Sequence, residues 1–459
     1  MDSTTRNADA PTRLRRLLDG ELICPGEPGY DEHRRVWNGM IDKRPAMIAR
    51  CASVTDVVNT VTFAREESLM LAVRGGGHSF AGFSSCDDGV VLDLGHLDTV
   101  DVDPENRLAR AGGGVTWRMF DAATNVHGLA TTGGLISTTG IAGLTLGGGI
   151  GWLQRKCGLS CDNLLSVEMV TASGEVVRAD SGQNPELFWG VRGGGGNFGV
   201  VTQFEFRLHP VSEVLGGLML FPLERAAEVI HAYREFVRDC PDELTTWLSV
   251  ITAPAADFIP TDLQGRPSLA VLACHCGDLA DGEAAVRPLR DLSPAVDLIE
   301  PTPYPDLQSM FDEDYPPGVR CYLRAGFVCG LTDTLIDTII EHTSAMPSAA
   351  SSFDFHHMGG AVAQVSADAT AFGDRSSEFC FNIVGVWDDP EADDRNRDWV
   401  RGFASALTPF ATGGVYVNFT ADLDRAQLAY SDSKYTRLQA LKRQYDPANL
   451  FRLNQNIKP

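Results

Sequence analysis

The chain has 459 residues, of which 44% are hydrophobic and 22% charged, so it holds ample material for globular cores and is neither disordered nor a coiled coil by composition. Its 61 acidic residues against 38 lysines and arginines give a net charge of -23. A surface this acidic repels phosphate backbones and anionic headgroups, which argues against nucleic acid and membranes as partners.

The N-terminal stretch MDSTTRNADAPTRLRRLL carries charge without the apolar run of a secretion signal, and no later apolar run reaches the ~18 residues of a membrane span. The sequence therefore predicts a cytoplasmic protein.

The odd number of cysteines, 11, favours reduced thiols over a disulfide framework. The pairs Cys157/Cys161 and Cys274/Cys276 lack a second pair at structural zinc spacing, so no metal site is predicted.

The first predicted helix covers positions 53–68, where apolar residues recur at helical spacing behind a polar start: Val54, Val57, Val58, Val61 and Ala64. A short strand, MLAVRG, follows it and leads into a glycine loop at 75–77. Between positions 71 and 205 lie 27 of the 46 glycines, and they alternate with β-branched runs at 89–95, 166–179 and 199–210. This pattern predicts strands joined by tight glycine loops.

Beyond residue 210 the pattern changes to strands that alternate with helices. A helix is predicted at 223–240, strands at 245–252, 268–276, 352–360 and 379–388, and further helices around 281–292, 331–345 and 391–408. A final helix is predicted at about 425–444. The alternation predicts an α+β domain whose antiparallel sheet is covered by helices.

Four glycine clusters stand out: RGGGHSFAG (74–82), GGLISTTGIAGLTLGGGIG (133–151), KCGLSCDN (156–163) and RGGGGNFG (192–199). Such loops either make tight turns or present backbone N–H groups to phosphate oxygens. A GxxxxGK[ST] loop is absent, which argues against a P-loop NTPase, and GGGIGWLQRKCG follows no clean strand, which disfavours a nicotinamide-dependent Rossmann enzyme. A cofactor site built from several separated loops suits a large dinucleotide in extended conformation.

These clusters, the block NPELFWGVRGGGGNFGVVTQFEFRLHP and the terminal YDPANLFRLNQNIKP together resemble the berberine bridge enzyme-like oxidoreductases. These are FAD-linked oxidases of the vanillyl-alcohol oxidase/p-cresol methylhydroxylase (PCMH) superfamily. The resemblance covers positions 35–459. It implies an N-terminal segment (1–34), a two-lobed PCMH-type FAD-binding domain (35–210), a substrate domain (211–415) and a C-terminal return to the FAD-binding domain (416–459).

The resemblance also implies FAD joined covalently through His78 to its 8α-methyl carbon. An imidazole suits that role, since it is a good nucleophile near neutral pH. A second, cysteinyl bond found in some members is not expected, because the matching position falls on or near Ile136. The other cofactor-binding residues carried over from the family are Arg74, Gly75, Gly76, Gly77, Ser79, Ser137, Thr138, Thr139, Gly140, Gly143, Gly149, Val200, Asn418 and Asn454.

For catalysis the resemblance points to Tyr416 in VYVNF, which would lie beside the flavin as a base or as a residue that positions the substrate; simple aromatic packing is the alternative. Plant members often use a glutamate after a GG turn, but the matching stretch, MGGAVAQV, has Gln364 near that place. Gln364, His357, Arg324 and Tyr322 are further candidates to face the substrate, and each also fits a structural role.

The expected activity is FAD-dependent oxidation of an alcohol, amine or activated C–H centre in a small organic metabolite, by hydride transfer to flavin N5 and reoxidation by O2 to give H2O2. Natural-product tailoring is the context that the resemblance favours. A carbohydrate oxidase is the alternative within the family. A flavin-binding protein without turnover is the alternative of another class.

Overall fold

The computed structural model of the protein describes residues 3–422 and 427–459. Its α-helices are Ser3–Arg15, Tyr30–His33, Val54–Glu66, Trp117–Asn125, Ile141–Leu146, Gln154–Cys157, Pro185–Val191, Ala226–Phe236, Leu279–Arg290, Tyr304–Gln308, Asp333–Thr343, Ala361–Gln364, Asp393–Leu407 and Asp432–Tyr445. Within these residues no helix combines the length and the apolar character that crossing a bilayer requires.

The first sheet supplies the loop that opens the cofactor cradle. Its strands are Glu21–Ile23, Met47–Arg50, Leu71–Arg74 and Val90–Asp93. The last three pair in parallel, and the helix Val54–Glu66 makes the crossover between two of them. That helix confirms the prediction at 53–68: the Ser53 side chain accepts the Asp56 N–H at its start. The strand Leu71–Arg74 then delivers the glycine loop at its carboxyl end.

The second sheet is antiparallel. Its strands are Val100–Asp103, Leu108–Gly112, Leu164–Val170, Val176–Asp180 and Val200–Arg207. Just after its strand Val200–Arg207, the short strand His209–Pro210 pairs with Leu129–Ala130 to form a separate two-stranded ribbon. Phe204 and Phe206 on its central strand are fully buried with Trp117 and Phe120 of the helix Trp117–Asn125, so this sheet and helix share one apolar core.

The third sheet is also antiparallel and has eight strands: Glu213–Pro222, Leu244–Thr252, Pro267–His275, Val296–Asp297, Glu300–Pro303, Arg320–Val328, Ser352–His357 and Phe379–Trp387. One face packs against the helices Ala226–Phe236, Leu279–Arg290, Asp333–Thr343 and Asp393–Leu407. The predicted α+β fold, with an antiparallel sheet covered by helices, is confirmed. Successive side chains of a strand point to opposite faces, so Phe353 and Phe355 enter the helix-covered core while Asp354 and His356 face the other way.

Some predicted elements end elsewhere. The strand expected at 352–360 stops at His357 because Gly359 and Gly360 adopt φ of 78° and 51°, which an extended strand does not allow. The final helix begins at Asp432, where the Ser431 hydroxyl caps it; positions 425 and 426 of the prediction lie outside the described residues. The strand Glu213–Pro222 was not predicted, because two glycines interrupt its pattern.

A buried ion pair fixes the C-terminal tail to the glycine cluster at 192–199. The Lys442 ammonium donates to the Asp446 carboxylate and to the carbonyls of Asn197 and Phe451. Asp446 in turn accepts the backbone N–H groups of Leu450 and Phe451. Both charged side chains are fully buried. The tail thereby reaches the glycine loops of the first half of the chain.

Candidate functional site

A deep cavity lies between the glycine loops of the first half and the open face of the eight-stranded sheet. The volume of this cavity is about 350 Å³. Loops at 75–84, 135–150 and 195–201 form one wall, and strands Leu244–Thr252, Ser352–His357 and Phe379–Trp387 contribute to the other. Residues 451–455 of the tail complete the lining.

The loop after strand Leu71–Arg74 is built to receive an anion. Within the described residues, the backbone N–H groups of Gly76, Gly77 and His78 donate to no acceptor. Gly77 has a φ of 73°, a left-handed turn that lets successive N–H groups converge. A Cβ added at Gly76 would lie 2.3 Å from the Gly140 nitrogen, so this loop and the 133–151 cluster touch through backbone alone. Two glycine-rich loops therefore form one continuous cradle.

His78 stands at one end of this cradle and lines the cavity. Its ring stacks on Trp37 with centroids 5.3 Å apart, and its nitrogens lie 3.1 Å and 3.4 Å from the hydroxyls of Thr138 and Thr139. Burial lowers the pKa of His78 to about 4, against a weaker opposing effect of Asp312. The imidazole is therefore neutral near pH 7, the form that can act as a nucleophile.

Most of the cofactor-binding residues expected from the sequence line this cavity. They are Gly75, Gly76, Gly77, His78, Ser79, Thr139, Gly140, Gly143, Val200, Asn418 and Asn454. A Cβ at Gly143, or at neighbouring Gly196, would meet nothing within 4 Å, so both glycines leave the cavity open. Their binding roles stay predictions.

Four of the expected residues lie behind the lining. The Arg74 guanidinium pairs with Asp93 at 2.8 Å, and the Ser137 hydroxyl donates to Asp312. Thr138 contacts the His78 ring, and the Gly149 N–H donates to the Tyr416 hydroxyl. Each of these residues supports a lining residue or a loop and does not itself face the cavity.

Tyr416 lines the cavity but is only 1% exposed. Its hydroxyl oxygen accepts three hydrogen bonds: from the N–H groups of Gly149 at 2.9 Å and Ile150 at 3.2 Å, and from the Asn418 amide at 2.8 Å. These donors favour the phenolate, but burial outweighs them and raises the pKa of Tyr416. The phenol is therefore protonated at neutral pH, and its catalytic role stays a prediction.

The four residues expected to face a substrate lie away from the cavity. Tyr322 and Arg324 both bind Asp422, through a hydrogen bond and an ion pair of 2.7 Å each. The His357 ring packs beside Arg155, 3.1 Å from its guanidinium, and the exposed Gln364 donates to Asp242. For Tyr322, Arg324 and His357 the reason is strand parity, since Leu323 and His356, each one residue away on the same strands, are the side chains that line the cavity. Gln364 is not on a strand but at the end of the short helix Ala361–Gln364.

The sheet wall of the cavity carries polar residues that sequence reasoning missed. Asp354 accepts hydrogen bonds from the hydroxyls of Ser249 at 2.6 Å and Ser352 at 3.2 Å. Burial raises the pKa of Asp354 to about 7 and lowers that of His356 to about 3. The His356 ring lies 4.5 Å from that of Trp247. The alternation in SFDFHH, with apolar residues at 353 and 355, is the signal that could have found both.

The residues present fit a bound FAD. The side-chain oxygens of Asn454 and Gln455 are buried and have no hydrogen-bond partner in the part of the chain that the structure describes, although both residues line the cavity. A pyrophosphate would occupy the N–H cradle, and a flavin reaching His78 would lie between the loops and the sheet. FAD combines an anionic pyrophosphate, polar hydroxyl groups and an apolar ring system. These parts match the free N–H donors, the unpaired amide oxygens and the apolar walls of the cavity.

Comparison with known proteins supports the same cofactor. Residues 45–180 match a family described as an FAD binding domain, and residues 415–458 match one described as berberine and berberine like. An FAD-linked oxidoreductase of Dictyostelium discoideum is 30% identical over 449 residues, 96% of this chain and 95% of that protein. The (R)-6-hydroxynicotine oxidase of Paenarthrobacter nicotinovorans is 30% identical over 464 residues, 96% of this chain and 97% of that one.

The crystal structure of 6-hydroxy-D-nicotine oxidase from Arthrobacter nicotinovorans superimposes with a TM-score of 0.88 at 28% identity, covering 96% of this chain and 98% of that one. Fold, cavity and relatives together define an FAD-linked oxidoreductase. The chain belongs to the berberine bridge enzyme-like family, as the glycine clusters and the terminal motif had indicated.

Proposed function

We propose that the protein oxidises an alcohol, amine or activated C–H centre of a small organic metabolite, with O2 as the final acceptor and H2O2 as product. The observation that carries this proposal is that His78 and the polar sheet face open into one cavity. FAD, when bound, supplies the hydride acceptor. The substrate class suits natural-product tailoring, and the eleven free thiols support a cytoplasmic site of action.

The chain's own residues would hold the cofactor in two ways. The free N–H groups of Gly76 and Gly77 bind the pyrophosphate. Neutral His78 forms the covalent link to the flavin, held in place by Trp37 and the hydroxyls of two threonines. Ile136 lines the cavity, and no cysteine of the described residues does, which supports attachment through His78 only.

Tyr416 is the proposed catalytic residue on the cofactor side. Three N–H groups lie within hydrogen-bond distance of its oxygen, and no acceptor for its own proton is found among the described residues, so we place that proton toward the cavity. A protonated phenol in that position orients a substrate heteroatom by hydrogen bonding. Its three donors would also stabilise negative charge that develops on the oxygen as a proton leaves.

The first test is an absorption spectrum of the purified protein before and after acid precipitation. Yellow colour should stay with the wild-type pellet and move to the supernatant for His78→Ala, while His127→Ala, at an exposed position, should behave as wild type. Colour in the wild-type supernatant would refute the covalent link. A protein that stays colourless after incubation with FAD would refute the proposed function.

The second test addresses turnover. Substrate panels of amines, alcohols and oligosaccharides should include members that bleach the bound flavin without oxygen and form peroxide in air. Peroxide formation confined to oligosaccharides would make the protein a carbohydrate oxidase. Flavin that no panel member bleaches would favour the flavin-binding protein without turnover.

A further inference from the structure

The open face of the eight-stranded sheet bears a row of polar side chains in an otherwise apolar wall. Ser249, Asp354 and Asn382 lie directly opposite one another on three adjacent strands, so their side chains share one face. One step along the same strands, Trp247 lies opposite His356. All but Ser249 line the cavity. The row therefore presents its polar atoms to whatever lies over the sheet.

Asp354 is the single carboxylate in the described lining of the cavity, and no lysine or arginine shares that lining. Two serine hydroxyls already donate to its oxygens, and hydroxyl donors favour the charged form without cancelling the charge. The other titratable side chains in the lining are two histidines, whose pKa burial lowers, and three tyrosines, whose pKa burial raises, so all are uncharged at neutral pH: His78, His356, Tyr315, Tyr416 and Tyr430. Among residues 3–422 and 427–459, the Asp354 carboxylate therefore has no cationic partner.

The surroundings of Asp354 accept hydrogen bonds and offer aromatic faces. The side-chain oxygen of Asn382, which lies opposite Asp354, is buried and receives no hydrogen bond from the described residues. Trp247 and Phe311 also line the cavity, with ring centroids 5.5 Å apart, and the ring of Phe419 lies 5.5 Å from that of His356. Aromatic rings around a carboxylate attract organic cations, because the ring faces are electron-rich and the carboxylate supplies the opposite charge.

We propose that Asp354 is the specificity-determining residue of this cavity and that it selects protonated amines on an aromatic or apolar body over neutral alcohols and sugars. The proposal rests on the proposed function, since it names the substrate class of the same site. An ammonium group would donate to the carboxylate and to the Asn382 oxygen, while its apolar body would pack on Trp247 and Phe311. A sugar would leave the carboxylate without its counter-charge.

The test measures binding to the flavin-loaded protein with a matched pair of probes, benzylamine and benzyl alcohol, followed by the change in flavin absorption and by thermal shift. Wild type should bind benzylamine at least ~10-fold more tightly. Asp354→Asn should weaken benzylamine binding by ~10- to 100-fold, the usual range for losing a charge-assisted hydrogen bond, and leave benzyl alcohol unchanged. Asp388→Asn, at an exposed position just beyond the last strand, is the matched control.

The pH dependence gives an independent measure. Because the pKa of Asp354 is about 7, benzylamine affinity should rise between pH 6 and pH 8 in wild type as the carboxylate ionises, and stay flat in Asp354→Asn. Ser249→Ala keeps the carboxylate and should weaken benzylamine binding to a smaller degree, which keeps the test decisive if the Asn variant does not fold. Equal affinity of wild type for the two probes, or unchanged benzylamine affinity in Asp354→Asn, would overturn the proposal.

Failure of this proposal can be told from failure of the proposed function. If alcohols or sugars bleach the flavin and the protein does not prefer benzylamine, the proposed amine specificity is overturned while the proposed oxidase activity stands. If amine binding depends on Asp354 but no substrate bleaches the flavin, the amine specificity of Asp354 is supported and the proposed oxidase activity is refuted.

Discussion

Asp121 is a carboxyl group that destabilises the fold as the pH rises. It lies on the helix Trp117–Asn125 and is 1% exposed, and neither of its oxygens has a hydrogen-bond partner among the described residues. The helix Tyr304–Gln308 packs on this helix, and the Gln308 amide, which makes no hydrogen bond of good geometry to Asp121, lowers the pKa by less than burial raises it. Burial dominates and raises the pKa of Asp121 from 3.8 to about 8. The folded state therefore holds this proton more tightly than the unfolded chain does.

The sign and size of the effect follow from that difference. Below pH ~3 the carboxyl is protonated in both states and carries no ionisation penalty. Between pH 5 and pH 8 only the unfolded chain ionises, so the free energy of unfolding falls by roughly 1.4 kcal/mol for each pH unit, or about 4 kcal/mol in all. Asp121→Asn removes this loss. For a chain of 459 residues the gain corresponds to about 4 °C in the unfolding midpoint.

The assay is thermal unfolding of wild type, Asp121→Asn and the exposed control Asp101→Asn at pH 5 and pH 8. The midpoint difference between Asp121→Asn and wild type should grow by about 4 °C in favour of the variant from the lower to the higher pH. Asp101→Asn should follow wild type at both. A difference independent of pH would show that Asp121 is ionised in the folded protein and would refute the reasoning.

Three further outcomes are expected. Gly76→Ala should lose most of its bound flavin, measured by absorbance, because its Cβ would meet the Gly140 nitrogen at 2.3 Å; Gly402→Ala, on a helix with nothing within 4 Å, should keep its flavin. Lys442→Met leaves a buried unpaired carboxylate and should lower stability by about 3–5 kcal/mol, partly restored by adding Asp446→Asn; equal midpoints for all three proteins would contradict this. Tyr416→Phe should retain flavin and lower kcat by ~10²- to 10⁴-fold, and an unchanged kcat would remove the hydroxyl from catalysis.

Local patterns predicted much of the architecture. Helical spacing located the helix after Ser53, and the β-branched runs at 166–179 and 199–210 located three strands of the second sheet. The other two strands of that sheet, Val100–Asp103 and Leu108–Gly112, were not predicted. The glycine clusters predicted where backbone approaches backbone, as Gly76 and Gly140 do. These features are determined by short stretches of chain, so they can be predicted from the sequence alone. The domain boundaries drawn from the resemblance stay predictions.

The sheet wall of the cavity could not be predicted in the same way. Which face of a strand meets the cofactor depends on register with strands more than 100 residues away, such as Trp247 opposite His356. Choosing His357 in place of His356 is an error of one residue, and it moves the side chain to the opposite face. Trp37 beside His78 was also missed, because only the folded chain brings the two together.

The two faces of the eight-stranded sheet serve different purposes: one face stabilises the core and the other lines the cavity. On strand Ser352–His357, Phe353 and Phe355 belong to the helix-covered core, while Asp354 and His356 meet the cavity. Replacing a cavity-facing residue changes what the site recognises without emptying the core, and the reverse holds for the phenylalanines. Relatives of this protein can therefore acquire new substrates by changing alternate positions of a few strands, at little risk to the fold that carries the cofactor.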